Sequence, residues 1–440
     1  MYQSAASMFK NKKVLILGFG REGMSTYRFL RNMYLDMHLT IADKNEIKLD
    51  DKNVTLICGD SYMDSLNDFD IVMKSPGIAF LDVDIKDGTL VTCQTDLFLK
   101  FAPCRKVGIT GSKGKTTTST LIYDMLKEGG FDARLIGNIG VPVLEDINTV
   151  TPETIAVIEM SSHQLEFTTS SPEVAVLTNI YEEHLDHYRD GFRGYVNAKL
   201  NIVRRQKESD TFIYNATQGL DGLCDLDKIK SHKVGVKKDA PLPFAVNNEH
   251  LLGEHNRQDI LFAFEAAKHF GVDTAAGRRR VDRAAAERAV EKFSGIEHRM
   301  EKVGTFRGIT FYNDCIATIP HAVECAVEAL KNVDTLIFGG MDRGLDYSEF
   351  ENYLKKSNIK NLIGTPATGH KICDKIEGAP PKNVYKAANL DEAVKKAYEV
   401  TEKGKICLLS PAASSYNCYK NFEEKGKHYK KLVREYGKED

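Results

Sequence analysis

The sequence predicts an α/β protein of three domains, each built on a mainly parallel, doubly wound sheet. Short β-branched runs alternate with helical segments along all 440 residues, a pattern typical of βαβ units. Glycine-rich turns join a strand to a helix at two places, after Val14–Leu17 and after Val107–Thr110. A third series of elements begins near Arg299, behind the helical stretch Arg280–Phe293. We therefore expect domains at 1–103, 104–298 and 299–440.

The periodicity of apolar residues predicts the main elements in order. The predicted strands are Val14–Leu17, Leu39–Ala42, Ile71–Met73, Val107–Thr110, Ile155–Glu159, Val174–Thr178, Phe212–Tyr214, Thr335–Phe338 and Ile406–Leu409. The predicted helices are Gly23–Met33, Thr116–Glu128, Arg257–Phe270, Pro320–Leu330 and Leu390–Val400, with a lysine-rich helix at the C-terminus.

Composition excludes several classes of function. A net charge of −2 provides no global basic field for nucleic acid or membrane surfaces. No apolar run approaches the length of about 18 residues that a membrane span needs, and the N-terminus has no apolar signal segment. The nine cysteines form no CxxC pair, and most, such as Cys58, lie in apolar runs. We expect buried free thiols in a cytoplasmic protein.

The first glycine turn, Gly18–Gly23, reads G-x-G-x-x-G between a strand and a helix. Its glycines allow a tight turn and a close approach of a phosphate to the helix N-terminus. Asp43 ends the next strand, about where an acidic residue meets a ribose hydroxyl. NAD, another nucleotide diphosphate, or no ligand at all are the alternatives at this turn.

The second glycine turn is more specific. Gly111-Ser112-Lys113-Gly114-Lys115-Thr116-Thr117 follows a strand and opens a helix, so its backbone N–H groups can cradle phosphate oxygens. Lys115 can reach the β- and γ-phosphates of ATP, and the Thr116 hydroxyl can ligate Mg²⁺. Because Ile109 stands where the usual pattern has its first glycine, this is a variant of the P-loop. It makes the middle domain a P-loop type between two Rossmann-like domains.

A set of motifs in a fixed order resembles the Mur ligase family. The motifs are Gly108–Thr117, Glu159–Leu165, Thr178-Asn179 with His184–Asp186, Ala198–Leu200, His255–Gln258, His298-Arg299, Asn313-Asp314 with Ala317-Thr318, and Gly339–Asp342. Leu409–Ala412 with Ser415 and Lys420–Glu423, and Ser75–Ile78, are similar to the glutamate-adding members. The resemblance covers essentially the whole chain. It implies a monomeric ATP-dependent ligase that attaches glutamate to UDP-N-acetylmuramoyl-L-alanine in peptidoglycan precursor synthesis.

The resemblance also assigns site residues. By resemblance, the residues that bind the UDP-substrate are Gly18, Phe19, Gly20, Asp43, Lys44, Ser75, Pro76 and Gly77, and those that contact its muramoyl part are Asn138, Ser161 and Gln164. The residues that bind ATP are Gly111–Thr117, Asn256, Asp259, Arg299 and Asp314, and those that bind glutamate are Thr318, Ser415 and Phe422. Asp259 replaces an asparagine that the family often shows, and as a carboxylate it can accept but not donate a hydrogen bond.

The implied chemistry is formation of an acyl phosphate, followed by attack of the glutamate amine. Both steps gather anionic groups, so positive charge and positioning should dominate catalysis, with Lys115 as a central group. By resemblance, Thr116 and Glu159 hold one Mg²⁺, while His184 and Lys199 serve a second, Lys199 as a carbamate. A free ammonium is a poor metal ligand, whereas a carbamate is an oxygen donor.

One departure affects specificity. Glutamate-adding members usually carry a lysine where this chain has Ile316, and that lysine pairs with a carboxylate of the incoming glutamate. Another cation in the pocket would favour D-glutamate, the isomer we expect, while a rebuilt pocket would suit L-glutamate. A folylpolyglutamate synthase-like ligase, an NAD-dependent oxidoreductase and a non-catalytic ATP-binding scaffold remain as alternatives. The Rossmann-like residues before the P-loop count against the first of these.

Overall fold

The computed structural model describes residues 2–139, 141–220, 222–248, 250–251, 254–274, 277–342, 346–376, 378, 382–415 and 418–438. Contacts between Cα atoms divide the chain into two compact units, Met1–Phe293 and Ser294–Asp440. The first unit contains two parallel sheets and the second contains one sheet. The α/β class predicted from the sequence is confirmed, and the domain border near residue 103 stays a prediction.

The first sheet has the strand order β3-β2-β1-β4-β5, with all neighbours parallel. Its strands are β1 (Val14–Leu17), β2 (Leu39–Asp43), β3 (Val54–Cys58), β4 (Ile71–Lys74) and β5 (Leu90–Thr92). The helices of this region are α1 (Tyr2–Phe9), α2 (Arg21–Met33) and α3 (Gln94–Phe101). Every residue of β1 is buried, as a central parallel strand covered on both faces requires.

The second sheet has the order β11-β10-β9-β6-β8-β7 and is also parallel. Its strands are β6 (Arg105–Thr110), β7 (Ala133–Gly137), β8 (Ile155–Glu159), β9 (Val174–Leu177), β10 (Thr211–Asn215) and β11 (His232–Val236). The helices are α4 (Lys115–Glu128), α5 (Val143–Asp146), α6 (Ser162–Leu165), α7 (Gly191–Leu200), α8 (Glu254–Ala267) and α9 (Arg283–Lys292). A short antiparallel hairpin pairs β12 (Val272–Thr274) with β13 (Gly277–Arg279).

The third sheet forms the second unit, with the order β14-β15-β19-β16-β17-β18. Its strands are β14 (Glu301–Phe306), β15 (Ile309–Asn313), β16 (Val333–Phe338), β17 (Asn361–Gly364), β18 (Asn383–Lys386) and β19 (Ile406–Leu409). The helices are α10 (Pro320–Leu330), α11 (Ser348–Lys356), α12 (Thr368–Ile376), α13 (Leu390–Val400) and α14 (Phe422–Tyr436). The strands are parallel except for the antiparallel pair β14 and β15 at one edge, which the sequence did not predict.

The cysteines correct one expectation. All nine are free, and several are buried, but Cys58 is exposed, as are Cys325 and Cys418. Cys58 ends β3, an edge strand whose residues are only partly covered. An apolar run on an edge strand therefore does not imply a buried thiol. No helix in the described part of the chain is both long and apolar enough to cross a membrane.

Candidate active site

The first glycine turn lies at the carboxyl end of β1, where the chain order of the first sheet reverses between its neighbours β2 and β4. This is where open α/β sheets bind ligands. The Phe19 N–H donates to Asp43 Oδ2 at 2.6 Å, and the Ser75 hydroxyl donates to the Gly18 carbonyl at 3.0 Å. Gly23 packs so tightly that a Cβ there would overlap the Gly18 carbonyl oxygen. The predicted residues of this turn are thus brought together.

The remaining UDP-site residues flank this turn. Gly20 caps the N-terminus of α2, Lys44 follows β2 with an exposed side chain, and Pro76 and Gly77 follow β4. Asp43 Oδ1 also accepts the Asn45 N–H at 2.8 Å, so its carboxylate shapes the turn as well as facing the crevice.

The second glycine turn links β6 to α4, and its two glycines are required by packing. Gly111 has φ +151°, and a Cβ there would overlap the Thr178 hydroxyl. Gly114 has φ +81°, and a Cβ would lie 2.5 Å from Asp259 Oδ1. Asp259 is buried and accepts a hydrogen bond from the Thr118 hydroxyl at 3.2 Å. The structure therefore puts Asp259 against the back of the turn.

Residues after β9 hold the turn in place. The Ser112 N–H donates to the Asn179 carbonyl at 2.9 Å, and the Lys113 N–H to Asn179 Oδ1 at 2.8 Å. The Ser112 hydroxyl is buried and lies 2.7 Å from the Tyr195 hydroxyl. The Lys113 ammonium pairs with Glu183 at 2.5 Å. Ser112 thus supports the loop with both its hydroxyl and its backbone N–H.

Two ammonium groups converge on the carbonyl of Gly111. Lys115 Nζ donates to it at 2.9 Å and also to the Ser112 carbonyl at 2.9 Å. Lys199 Nζ, which is 2% exposed, donates to the same Gly111 carbonyl at 2.8 Å and lies 4.6 Å from the centre of the Tyr195 ring. Burial, and then the nearby Lys115 charge, lower the pKa of Lys199 well below its ordinary value.

Glu159 ends β8, the strand beside β6, and is almost fully buried. Its Oε1 accepts the Asn138 amide at 2.7 Å, while its Oε2 has no partner among the described residues. A buried, unpaired carboxylate oxygen is costly unless a cation approaches it. Thr116, buried in the first turn of α4, belongs to the same loop, so the donors present fit a hard cation such as Mg²⁺.

The protein alone offers an incomplete metal shell. In the described parts of the chain, no three His, Cys, Asp or Glu side chains are gathered closely enough to hold a metal ion. A Mg²⁺ ion at Thr116 and Glu159 would complete its shell with phosphate and water oxygens, as is usual for this ion.

His184 lies in the loop between β9 and α7, with φ +53°. Its ring centre is 4.8 Å from that of His163, which in turn lies 3.9 Å from that of His187. Burial lowers the pKa values of His184 and His163, the latter to about 3, so both imidazoles are neutral at pH 7. A neutral imidazole is the form that can ligate a metal.

Gln164 joins the glycine turn of the first sheet to the second sheet. Ser161 and Gln164 form a capping box at α6, with the Gln164 N–H 3.2 Å from the Ser161 hydroxyl. The Gln164 amide also donates to Glu22 Oε1 at 2.8 Å, in the first turn of α2. Two of the three predicted muramoyl contacts, Ser161 and Gln164, are therefore next to the predicted UDP turn.

Other predicted ATP residues lie on α4, on α8 and in the second unit. Thr117 is half-buried in the first turn of α4, and Asn256 is half-buried in the first turn of α8. In the second unit, Arg299 is exposed and Asp314 is buried. Asp314 accepts the Ser410 hydroxyl at 2.9 Å and the Met300 N–H at 3.1 Å, and burial raises its pKa to about 6.

The predicted glutamate residues lie in the second unit. Thr318 is half-buried between β15 and α10, and Phe422 begins α14. Ser415 is buried, and its hydroxyl has no partner among the described residues.

Comparison with known proteins identifies the family. Three family models match in order: the MurD-like Mur ligase N-terminal domain at residues 12–91, the Mur ligase middle domain at 109–264, and the Mur ligase glutamate ligase domain at 298–413. The UDP-N-acetylmuramoylalanine–D-glutamate ligase of Acetivibrio thermocellus is 33% identical over 96% of this chain and 96% of its own. The ligase of the same name from Clostridium kluyveri is 33% identical over 97% of each chain.

The chain belongs to the Mur ligase family. The resemblance to the Mur ligases and the predicted ligase class are thereby confirmed. Among solved structures, this Mur ligase has the fold of the UDP-N-acetylmuramate-alanine ligase of Thermotoga maritima, with a TM-score of 0.55 and 18% identity over 97% of this chain and all of that one. It also resembles an E. coli FolC structure with a TM-score of 0.54 and 14% identity, covering 83% of this chain and 100% of that one.

The Mur ligase also contains a buried cluster for which we predicted no role from the sequence. Lys74, the last residue of β4, is buried and pairs with Glu166 at 3.1 Å. Glu166 also lies 3.4 Å from His187 Nε2. Burial would raise the pKa of Glu166, but the hydrogen bonds from His187 and Lys74 outweigh it and lower that pKa. The only sequence signal for this cluster was that Lys74 precedes Ser75 and that Glu166 lies close to Gln164.

Proposed function

We propose that this chain is an ADP-forming ligase that joins D-glutamate to UDP-N-acetylmuramoyl-L-alanine in peptidoglycan precursor synthesis. One observation carries the proposal. A P-loop with Lys115, and a buried Glu159 whose Oε2 has no partner among the described residues, lie in the same unit as a strand–glycine–helix turn. The curated relatives named for this reaction match along nearly the whole chain.

The glycine turn at Gly18 is proposed to hold the UDP group of the substrate. The N-terminus of α2, which begins at Arg21 within this turn, favours an anionic diphosphate. Gln164 bridges from this turn to the strand that carries Glu159, which supports a path for the muramoyl-alanine part toward the P-loop.

The P-loop is proposed to bind ATP with its γ-phosphate next to the alanine carboxylate. A carboxylate oxygen attacks the γ-phosphorus, ADP leaves, and an acyl phosphate forms. The glutamate amine then attacks the acyl carbon, phosphate leaves, and the nitrogen loses a proton. Lys115, whose ammonium donates to the Gly111 and Ser112 carbonyls within the P-loop, is proposed to offset the charge of the gathered oxyanions.

Mg²⁺ is proposed at two positions, with Thr116 and Glu159 at the first and His184 and Lys199 at the second. When bound, Mg²⁺ neutralises phosphate charge and orients the transferred group. The unpaired Glu159 Oε2 and the neutral His184 imidazole support these assignments.

Lys199 is proposed to react as a neutral amine with CO₂, forming an N–C bond and releasing one proton to water. Its burial and the proximity of Lys115 favour the neutral form that this step needs. We expect Lys199→Ala to lose most activity, with partial restoration by formate or acetate. Lys207→Ala, at an exposed lysine beyond the same helix, is the control. Normal turnover by Lys199→Ala contradicts the carbamate role.

Two rival functions are distinguishable. A folylpolyglutamate synthase needs no UDP-type domain, whereas residues 12–91 match the N-terminal domain of MurD-like ligases. L-glutamate competes with D-glutamate because Ile316 cannot pair with a carboxylate. Names of the relatives support the D-isomer. The predicted cytoplasmic location and monomeric state stay predictions.

The decisive experiment measures ADP release and ligated product with UDP-N-acetylmuramoyl-L-alanine, ATP, Mg²⁺ and each glutamate isomer. We expect activity with D-glutamate, and a loss of at least a hundredfold in Lys115→Ala. Lys127→Ala, at an exposed lysine of the same helix α4, should retain activity. Failure with both isomers while ATP binds would reject the proposed acceptor.

A further inference from the structure

Three chain segments meet at the carboxyl edge of the third sheet, where open α/β sheets bind their ligands. They follow β15, β16 and β19. The Ala412 N–H donates to the Ala317 carbonyl at 2.9 Å, and the Met341 N–H donates to the Ser414 carbonyl at 2.7 Å. The edge is therefore a continuous, hydrogen-bonded rim.

Lys425, in the first turn of α14, reaches this rim from one side. Its side chain is 4% exposed, and its Nζ donates to the carbonyl of Gly339, directly after β16, at 2.9 Å. The next residue, Gly426, packs so closely that a Cβ would lie 3.0 Å from the Asn313 amide at the end of β15. The Gly339 carbonyl thus holds the ammonium at the rim, and the close packing of Gly426 fixes the start of α14 against the end of β15.

The charge of Lys425 is not balanced within the described part of the chain. No carboxylate there forms an ion pair with it, and the neighbouring titratable groups are Cys315 and Cys418. An ammonium has three N–H donors, and one is used by Gly339. A buried cation without a counter-charge is costly, and burial lowers the pKa of Lys425, so an arriving anion would stabilise its charged form.

A second polar group in this region also lacks a partner. The Ser415 hydroxyl is 3% exposed and has no hydrogen bond among the described residues. Its segment joins the rim through Ser414, and its carbonyl accepts the Tyr419 N–H at 3.1 Å just before α14 begins. A carboxylate is an acceptor that can satisfy both an ammonium and a hydroxyl.

We propose that Lys425 is a specificity-determining cation of this ligase and that, with the Ser415 hydroxyl, it binds the side-chain carboxylate of the incoming glutamate. This inference rests on the proposed glutamate acceptor. It supplies the charge that Ile316, which lies on the segment after β15, does not provide.

The test compares Lys425→Met, which keeps the length of the side chain but removes its charge, with Lys427→Met, at an exposed lysine of the same helix. We expect Lys425→Met to raise the KM for glutamate about tenfold to a hundredfold, with the KM values for ATP and the UDP-substrate within twofold of wild type. Its preference for glutamate over glutamine should fall by a similar factor. Lys427→Met should behave as wild type.

The outcomes separate this inference from the proposed function. If wild type ligates neither isomer of glutamate, the proposed acceptor fails. If wild type is active but Lys425→Met keeps its preference for glutamate over glutamine, Lys425 only tethers Gly339 and the inference is overturned. Should Lys425→Met not fold, Lys425→Arg and Lys425→Gln replace it: the arginine variant should keep the preference and the glutamine variant should lose it. Equal preference in these two variants overturns the inference.

Discussion

At the scale of single residues, Glu159 is the clearest case of a buried charge that lacks a full set of partners among the described residues. One of its oxygens accepts the Asn138 amide and the other, though buried, has no partner among the described residues. In Glu159→Gln the Asn138 contact can persist while the charge is removed. We expect the ligand-free variant to be about 1–2 kcal/mol more stable than wild type in urea unfolding, because a buried unpaired charge is relieved. Stabilisation by MgADP should be lost, because the variant lacks the carboxylate that is proposed to hold Mg²⁺ and so binds MgADP too weakly to shift unfolding.

Glu153→Gln, at an exposed glutamate just before the same strand, is the control for this prediction and should change neither quantity. A Glu159→Gln enzyme that still gains full stability from MgADP would contradict a cation role for this carboxylate. Phosphate release should also fall by at least a hundredfold, as expected when charge stabilisation of the transferred group is removed.

Residue roles could be predicted from sequence where a local pattern dictates them. The Gly111–Lys115 turn is such a case, because a glycine-rich turn with Gly-Lys-Thr between a strand and a helix is a local signal for phosphate binding. The Lys74–Glu166 pair could not be predicted, because its partners are 92 residues apart and meet through tertiary packing. The Ser112 side chain likewise depends on Tyr195, a contact that no spacing rule contains.

At the scale of elements, a charged cluster joins β6, β9 and α8. Glu173, just before β9, accepts from Arg105 Nε at 3.1 Å and lies 3.4 Å from His269 Nε2, which follows α8. Burial alone would raise the pKa of Glu173, but the hydrogen bonds from His269 and Arg105 lower it to about 2. Since the folded-state pKa lies below the ordinary value of 4.5, this stabilisation is present above about pH 4.5 and is lost as pH falls toward 2.

We therefore expect Glu173→Gln to lower the free energy of unfolding by about 1–2 kcal/mol at pH 7, with a gap that narrows between pH 4.5 and pH 2. Urea unfolding of both proteins across this pH range measures the gap. Glu208→Gln, at an exposed glutamate, should show no gap at any pH. A gap that stays constant down to pH 2 would show that Glu173 contributes by packing and not by charge.

Elements were predictable where both faces are buried. The strands Val14–Leu17, Ile155–Glu159 and Ile406–Leu409 have the predicted bounds, because central parallel strands are continuous apolar runs. The edge strand β14 escaped prediction, since polar residues interrupt any such run. The edge strand β3 was also missed, although its sequence is an apolar run. Helix α8 begins at Glu254, three residues before the predicted start at Arg257, because the polar residues at its start show no apolar periodicity.

At the scale of the whole molecule, the sequence predicted three α/β sheets in order, and the order is confirmed by the three sheets and by the three family models. It could not predict how contacts group these sheets. Residues of the first and second sheets share one hydrophobic cluster, which includes Leu97 and Leu165, and they also share the buried Lys74–Glu166 pair. Such grouping depends on faces that only meet in the folded chain.

This grouping predicts that residues 1–293 fold as one cooperative body when expressed alone, because the first unit has its own continuous core. We expect a single unfolding transition for this fragment by circular dichroism and by tyrosine fluorescence, with the same midpoint for both probes. The fragment carries Lys115 and Glu159 but lacks Ser415 and Lys425, so it should bind ADP in calorimetry and form no ligated product. Two separate transitions, with one sheet melting first, would contradict a single unit. Lys115→Ala in the fragment should abolish the ADP signal without altering the unfolding midpoint by more than about 2 °C.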